Sequence, residues 1–171
     1  MDAIQFLLEE HQKVKARFAE IEQAPSQQRG ELWRRLEPEL KIHEAIEDTY
    51  LYGPLSKDPA ARGGRLATFE QEQDEDVRQL EPKLMQLSRL DPADDAWLTQ
   101  LREIRDTLAE HIREEETEIL PGVSQVWDRE KLQMAGRQMA EAKQEAMTNP
   151  TRYASVMSER GPESRTGMQE G

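Results

Sequence analysis

The sequence predicts an all-α protein: an antiparallel up-down-up-down four-helix bundle with a short extra C-terminal helix and a flexible tail. Three observations lead there. Four segments repeat apolar residues at three-four spacing, the pattern of an amphipathic helix. The connections between them are short, roughly 4 to 10 residues, which favours antiparallel neighbours. At 171 residues the chain is long enough for one domain with a core and short of what two need.

The first helix reads Ile4, Leu7, His11, Val14, Phe18, Ile21 and stops before Pro25. The second reads Leu36, Leu40, His43, Glu47, Tyr50; it starts near Gln28 and ends at Tyr52-Gly53-Pro54, a run containing two helix breakers. Pro38 lies inside that span, where it either kinks the helix or marks its true start. The third runs from about Arg62 to Leu90 and turns Leu66, Phe69, Val77, Leu80, Leu84 and Leu87 inward. Asp91 is a good N-cap for the fourth, with Pro92 in the first helical position. Its stripe is Trp97, Leu101, Ile104, Leu108, His111, Glu115, Ile119, and Pro121 follows. A weaker stripe, Leu132, Ala135, Met139, Ala142 and Ala146, predicts a short helix docked on the bundle. Residues 1–147 therefore read as the bundle plus this helix, and 148–171, which lose periodicity, as a disordered tail.

Composition removes several function classes. Without cysteine there is no disulfide, zinc–thiolate site, iron–sulfur cluster or cysteine nucleophile. A net charge of −12 argues against nucleic acid as a partner, because that surface must be basic to displace counterions. No apolar run approaches the roughly 20 residues of a membrane span. Met1-Asp2 does not open a secretory signal, so a cytoplasmic location is expected.

All three histidines of the chain fall on core stripes, and two have a glutamate four residues later on the same face: His43 with Glu47, and His111 with Glu115. A lone histidine on an apolar face is usually a core residue bonded to a carbonyl. Two buried carboxylates in one small bundle are harder to accommodate, since an ionised group without a partner is strongly disfavoured away from water. A multivalent cation neutralises the carboxylates and engages the imidazole lone pairs together. Mixed imidazole and carboxylate donors on facing helices suit a pair of iron ions, with manganese or zinc less well matched. Structural zinc usually recruits cysteine, which is absent.

These segments resemble the hemerythrin-like (HHE cation-binding) family. "LLEEHQKVKARF" is similar to its first-helix motif with His11 as ligand, "LKIHEAIEDTYLYGPL" to its second with His43 and Glu47, and "LAEHIREEETEILPGV" to its fourth with His111 and Glu115. The likeness covers about residues 1–125. It implies a four-helix bundle holding an oxo- or hydroxo-bridged di-iron centre, with Glu47 and Glu115 bridging. It further implies work on a small diatomic or peroxide ligand: peroxide, oxygen or nitric oxide chemistry, or alternatively iron or oxygen sensing and iron buffering.

One helix departs from the pattern. The family's third helix usually supplies one or two histidines, and "TFEQEQDEDVRQL" has none. Register against Val77 puts Asp74 at the usual histidine, with Glu70 one turn earlier and Gln73 competing if the helix rotates. The plainer reading of this acidic run is a solvated face. A carboxylate ligand there would favour the ferric state and disfavour reversible oxygen carriage. Tyr50, three residues past Glu47, is expected either to pack in the core or to hydrogen-bond the ligands. Glu44, adjacent to His43, is expected on the surface, the alternative being a swing toward the ions.

Overall fold

A computed structural model describes residues 1–149, except the side chains of residues 70, 71, 73, 74, 76 and 77 inside one helix. The expected tail from residue 150 onward thus lies outside the described residues. Among these residues every regular element is helical and there are no strands. The helices are α1 (Ala3–Gln23), α2 (Ser26–Glu47), α3 (Gly53–Ser56), α4 (Arg65–Ser88), α5 (Asp95–Glu114), α6 (Leu120–Val126) and α7 (Arg129–Thr148). Helix α1 packs on α2, α5 and α7, and α4 packs on α5.

Local chemistry explains the helix starts. Asp2 caps α1 by accepting from the Gln5 amide at 2.9 Å, while the Gln5 side chain accepts from the Asp2 amide at 3.2 Å. Asp128 caps α7 by accepting from the Lys131 amide at 2.8 Å. Asp91 behaves differently from its expected role. Its carboxylate and carbonyl take the Ala93 and Asp94 amides in a turn, and α5 begins only after Asp94. Pro38 sits within α2, which begins at Ser26.

The prolines expected to end the second and fourth helices do not end them. Each instead follows a single widened π turn, Asp48–Tyr52 before Pro54 and Glu115–Ile119 before Pro121. The bonds that define these turns run from the Gly53 amide to the Asp48 carbonyl and from the Leu120 amide to the Glu115 carbonyl. Proline lacks the N–H that would close an α-helical bond, and a wider turn accommodates that loss without stopping the helix. Glycine is required at position 53, because a Cβ would lie 2.8 Å from the Asp48 carbonyl oxygen.

The C-terminal helix is longer than its weak stripe implied. It spans 20 residues, contacts both α1 and α2, and buries Leu132, Ala135, Met139, Ala142 and Ala146. Small residues let its backbone approach α1 directly. A Cβ on Gly136 would stand 2.5 to 2.8 Å from backbone atoms of Met1, Asp2 and Ala3. Buried Glu10 of α1 is met by Lys13 at 2.7 Å and by Lys143 of α7. Gly136→Ala is therefore expected to cost about 2 kcal/mol by overpacking. It should lower the melting temperature by roughly 6 °C in a calorimetric scan.

Two apolar clusters fill the interior. One gathers Leu7, Ile46, Tyr52, Phe69, Ile119 and Met139. The other gathers Val14, Phe18, Leu36, Trp97, Leu101 and Ile112. Along α1 the chain passes from Leu7 through His11 to Val14, so His11 lies in a layer between them. Along the fourth predicted stripe, His111 and Glu115 likewise separate Ile104 from Ile119.

Candidate metal centre

That intervening layer is polar. His11, Glu47 and Glu115 are each at most 1 % exposed, and the side chains of His43 and His111 are mostly buried. His11 Nε2 lies 3.6 Å from Glu47 Oε1 and 3.2 Å from Glu115 Oε2. His43 Nε2 is 3.2 Å from Glu47 Oε1, and His111 Nε2 is 3.4 Å from Glu115 Oε1. The His11 and His43 rings meet edge to face at 5.2 Å. Three helices thus bring together the five residues that the periodicity singled out: His11 from α1, His43 and Glu47 from α2, and His111 and Glu115 from α5 and its π turn.

Electrostatics holds the cluster in a charged form. Burial opposes a charge on His11, but the nearby carboxylate oxygens of Glu115 and Glu47 and their negative charges prevail, raising its pKa to about 10. Burial also penalises ionised Glu47, yet the His43 and His11 imidazoles hold it well below the usual carboxylate range. Glu115 is held low in the same way: burial and the Glu47 charge oppose its ionisation, and His11 and His111 outweigh them.

The donor set fits metal cations. His11, His43 and Glu47 form one group and Glu47, His111 and Glu115 another, each with donor atoms within 4.8 Å of one another. The groups share Glu47, the arrangement a carboxylate needs to serve two neighbouring ions. His11 Nε2 and His43 Nδ1 are buried and accept or donate no well-formed hydrogen bond among the described residues. A fully buried imidazole nitrogen facing two carboxylates is a costly arrangement for a core histidine and a natural one for a ligand.

Other partners were less visible in the sequence. His11 Nδ1 lies 3.2 Å from Glu116 Oε1, and Glu116 is held by Lys15 at 2.9 Å. A carboxylate on the far nitrogen fixes the ring orientation and tautomer. The hydroxyl that reaches the centre belongs to Tyr52, which donates to Glu115 Oε1; Tyr50 is half-buried against the apolar cluster. The π turn inserts one residue after Glu47, so the inward face passes from positions 50–51 to 51–52, and Leu51 and Tyr52 are both fully buried. Tyr52→Phe removes a bond to a charged acceptor. It is expected to destabilise the metal-free protein by about 1.5–3 kcal/mol, measurable as a lower urea midpoint.

Glu44 is not a surface residue. It is half-buried and lines a cavity beside His43, Glu47 and His111, and burial followed by the Glu47 charge raises its carboxyl to about 7. On the third-helix side, Phe69 of α4 is 1 % exposed. It stacks on His111 with ring centroids 5.9 Å apart and meets Tyr52 at 5.2 Å. The side chains of Glu70, Gln73 and Asp74, the expected third-helix candidates, lie outside the described residues.

Comparison with known proteins agrees with this geometry. The model of the hemerythrin HHE cation-binding domain matches residues 2–123. The chain belongs to that family. A crystal structure of a hemerythrin HHE cation-binding domain-containing protein from Mycobacterium kansasii is similar, with a TM-score of 0.70 and 25 % identity. The match covers 90 % of this chain and 96 % of that one. A search of curated proteins found no match. Among the described residues no helix is long and apolar enough to cross a membrane.

Proposed function

We propose that the protein holds two iron ions between His11, His43, Glu47, His111 and Glu115. We assign it the turnover of peroxide, oxygen or nitric oxide in the cytoplasm. The helices α1, α2, α4 and α5 would form the antiparallel up-down-up-down frame. The observation that carries the reading is the pair of donor groups sharing Glu47. Glu47 and Glu115 neutralise the ions, the three imidazoles complete their coordination, and Glu116 and Tyr52 orient His11 and Glu115. An iron pair supplies redox equivalents and Lewis acidity to a small bound molecule. The chain itself excludes bulk water by the apolar clusters on both sides and offers a route inward past His43 and His111.

Anaerobic Fe(II) loading followed by metal analysis is the first test, with about two ions per chain expected. Peroxide consumption that is lost in both His43→Ala and His111→Ala supports turnover; loading without consumption of peroxide or nitric oxide removes it. The second reading is an iron sensor or buffer, favoured by the origin of the ligands on three separate helices. Cation binding there is also folding free energy. It predicts a large rise in melting temperature with Fe(II) and little turnover.

A further inference from the structure

The cavity that reaches the metal centre is larger and more apolar than a diatomic molecule or hydrogen peroxide needs. It measures about 250 Å³ and lies among α1, α2, α4 and α5. Its walls are mostly aliphatic, with Val14, Leu40, Leu80, Leu84, Ile104 and Leu108 contributing. One end meets His43, Glu47 and His111; Glu37, Lys41 and Glu81 also border it, the latter two exposed. An apolar cavity of roughly 150 Å³ accepts benzene, so this one has room for on the order of eight to ten non-hydrogen atoms.

Its charge pattern selects among such molecules. Lys41 is the one lysine or arginine lining the cavity among the described residues, and its ammonium is engaged by Glu37 at 2.9 Å. Glu44, Glu47 and Glu81 also line the space, so an anionic guest would meet carboxylates with no unengaged ammonium or guanidinium to pair with. We infer that the cavity binds a neutral aliphatic molecule of about six to eight carbons with one hydroxyl or hydroperoxyl headgroup at the His43–His111 end. This rests on the proposed peroxide reading for the identity of the headgroup alone: under that reading the guest is an alkyl hydroperoxide, and a 1-alkanol is its unreactive analogue.

The test uses the full-length metal-free protein titrated with 1-butanol through 1-decanol and with octanoate, followed by methyl NMR shifts and calorimetry. Affinity is expected to tighten about fourfold per added methylene and to stop improving near eight carbons. Octanoate should bind at least tenfold more weakly than 1-octanol. Leu84→Trp and Leu108→Phe fill the cavity from α4 and from α5 and should weaken 1-octanol at least tenfold in whichever variant melts cooperatively. A flat chain-length dependence, equal binding of octanoate, or undiminished binding in a folded filled variant overturns the inference. Fe(II) uptake is measured separately. Intact uptake with no alkanol binding removes the cavity assignment alone, and intact alkanol binding with no uptake removes the metal reading alone.

Discussion

Glu47→Gln is expected to abolish cation binding in both halves of the centre and to destabilise the metal-free protein as well. Glu47 belongs to both donor groups, so one substitution removes an anionic oxygen from each. Loss of a shared carboxylate should weaken Fe(II) binding more than about 100-fold, since even partners outside the ligand shell are worth 10–100-fold. Without metal the arithmetic differs. The substitution removes a carboxylate whose attraction to His11 and His43 outweighs its own desolvation, and it leaves the buried His11 charge with one fewer counter-charge, so a loss of about 3 kcal/mol is expected. At a free Fe(II) concentration about 100 times the dissociation constant, one site stabilises the wild-type fold by about 2.7 kcal/mol. That corresponds to a rise of roughly 8 °C for a chain of this size. Differential scanning calorimetry with and without Fe(II) should show that rise in wild type and almost none in Glu47→Gln.

Phe69→Ala should be the most damaging core substitution near the site. The ring is fully buried, and its removal is expected to cost about 3–5 kcal/mol. The melting temperature should fall on the order of 10 °C. It should also act selectively on metal binding. Phe69 stacks on His111 and contacts Tyr52, which holds Glu115, but His11 and His43 meet each other elsewhere in the layer. The His11–His43–Glu47 group should therefore retain its ion while the group containing His111 loses affinity. Stoichiometry at limiting Fe(II) should move toward one per chain, whereas Phe69→Leu, which keeps most of the volume, should lose much less.

The parts legible in the sequence were those governed by uninterrupted α-helical periodicity. His11, His43, Glu47, His111 and Glu115 all precede or begin the π turns, so three-four spacing placed them on the right faces. Tyr52 lies within a π turn, where that spacing shifts by one, and the expectation fell on Tyr50 instead. A signal was present: in both halves a His-x-x-x-Glu pair is followed by a proline six or seven residues later, and a helix that continues through proline has to widen. Gly53 adds to that signal in the first case, given its close approach to the Asp48 carbonyl.

Other misreadings have equally local causes. Asp91 and Asp94 are both plausible caps three residues apart, and the turn that Asp91 closes on itself decides between them. The length of α7 was understated because alanine and glycine give a weak apolar stripe, although their small size is what lets α7 approach the backbone of α1. Glu44 neighbours His43 in sequence and was expected on the surface, and Glu116, next to Glu115, drew no expectation. Their involvement depends on a cavity beside one and on the Nδ1 side of His11 for the other, neither of which periodicity records.

The central claim, that five inward-facing side chains clasp a pair of cations, is tested most directly by anaerobic Fe(II) titration followed by native mass spectrometry. Wild type should take up two ions per chain, and a Glu47→Gln/Glu115→Gln double variant none. Uptake of no iron by the folded wild type, or equal uptake by the double variant, would contradict it.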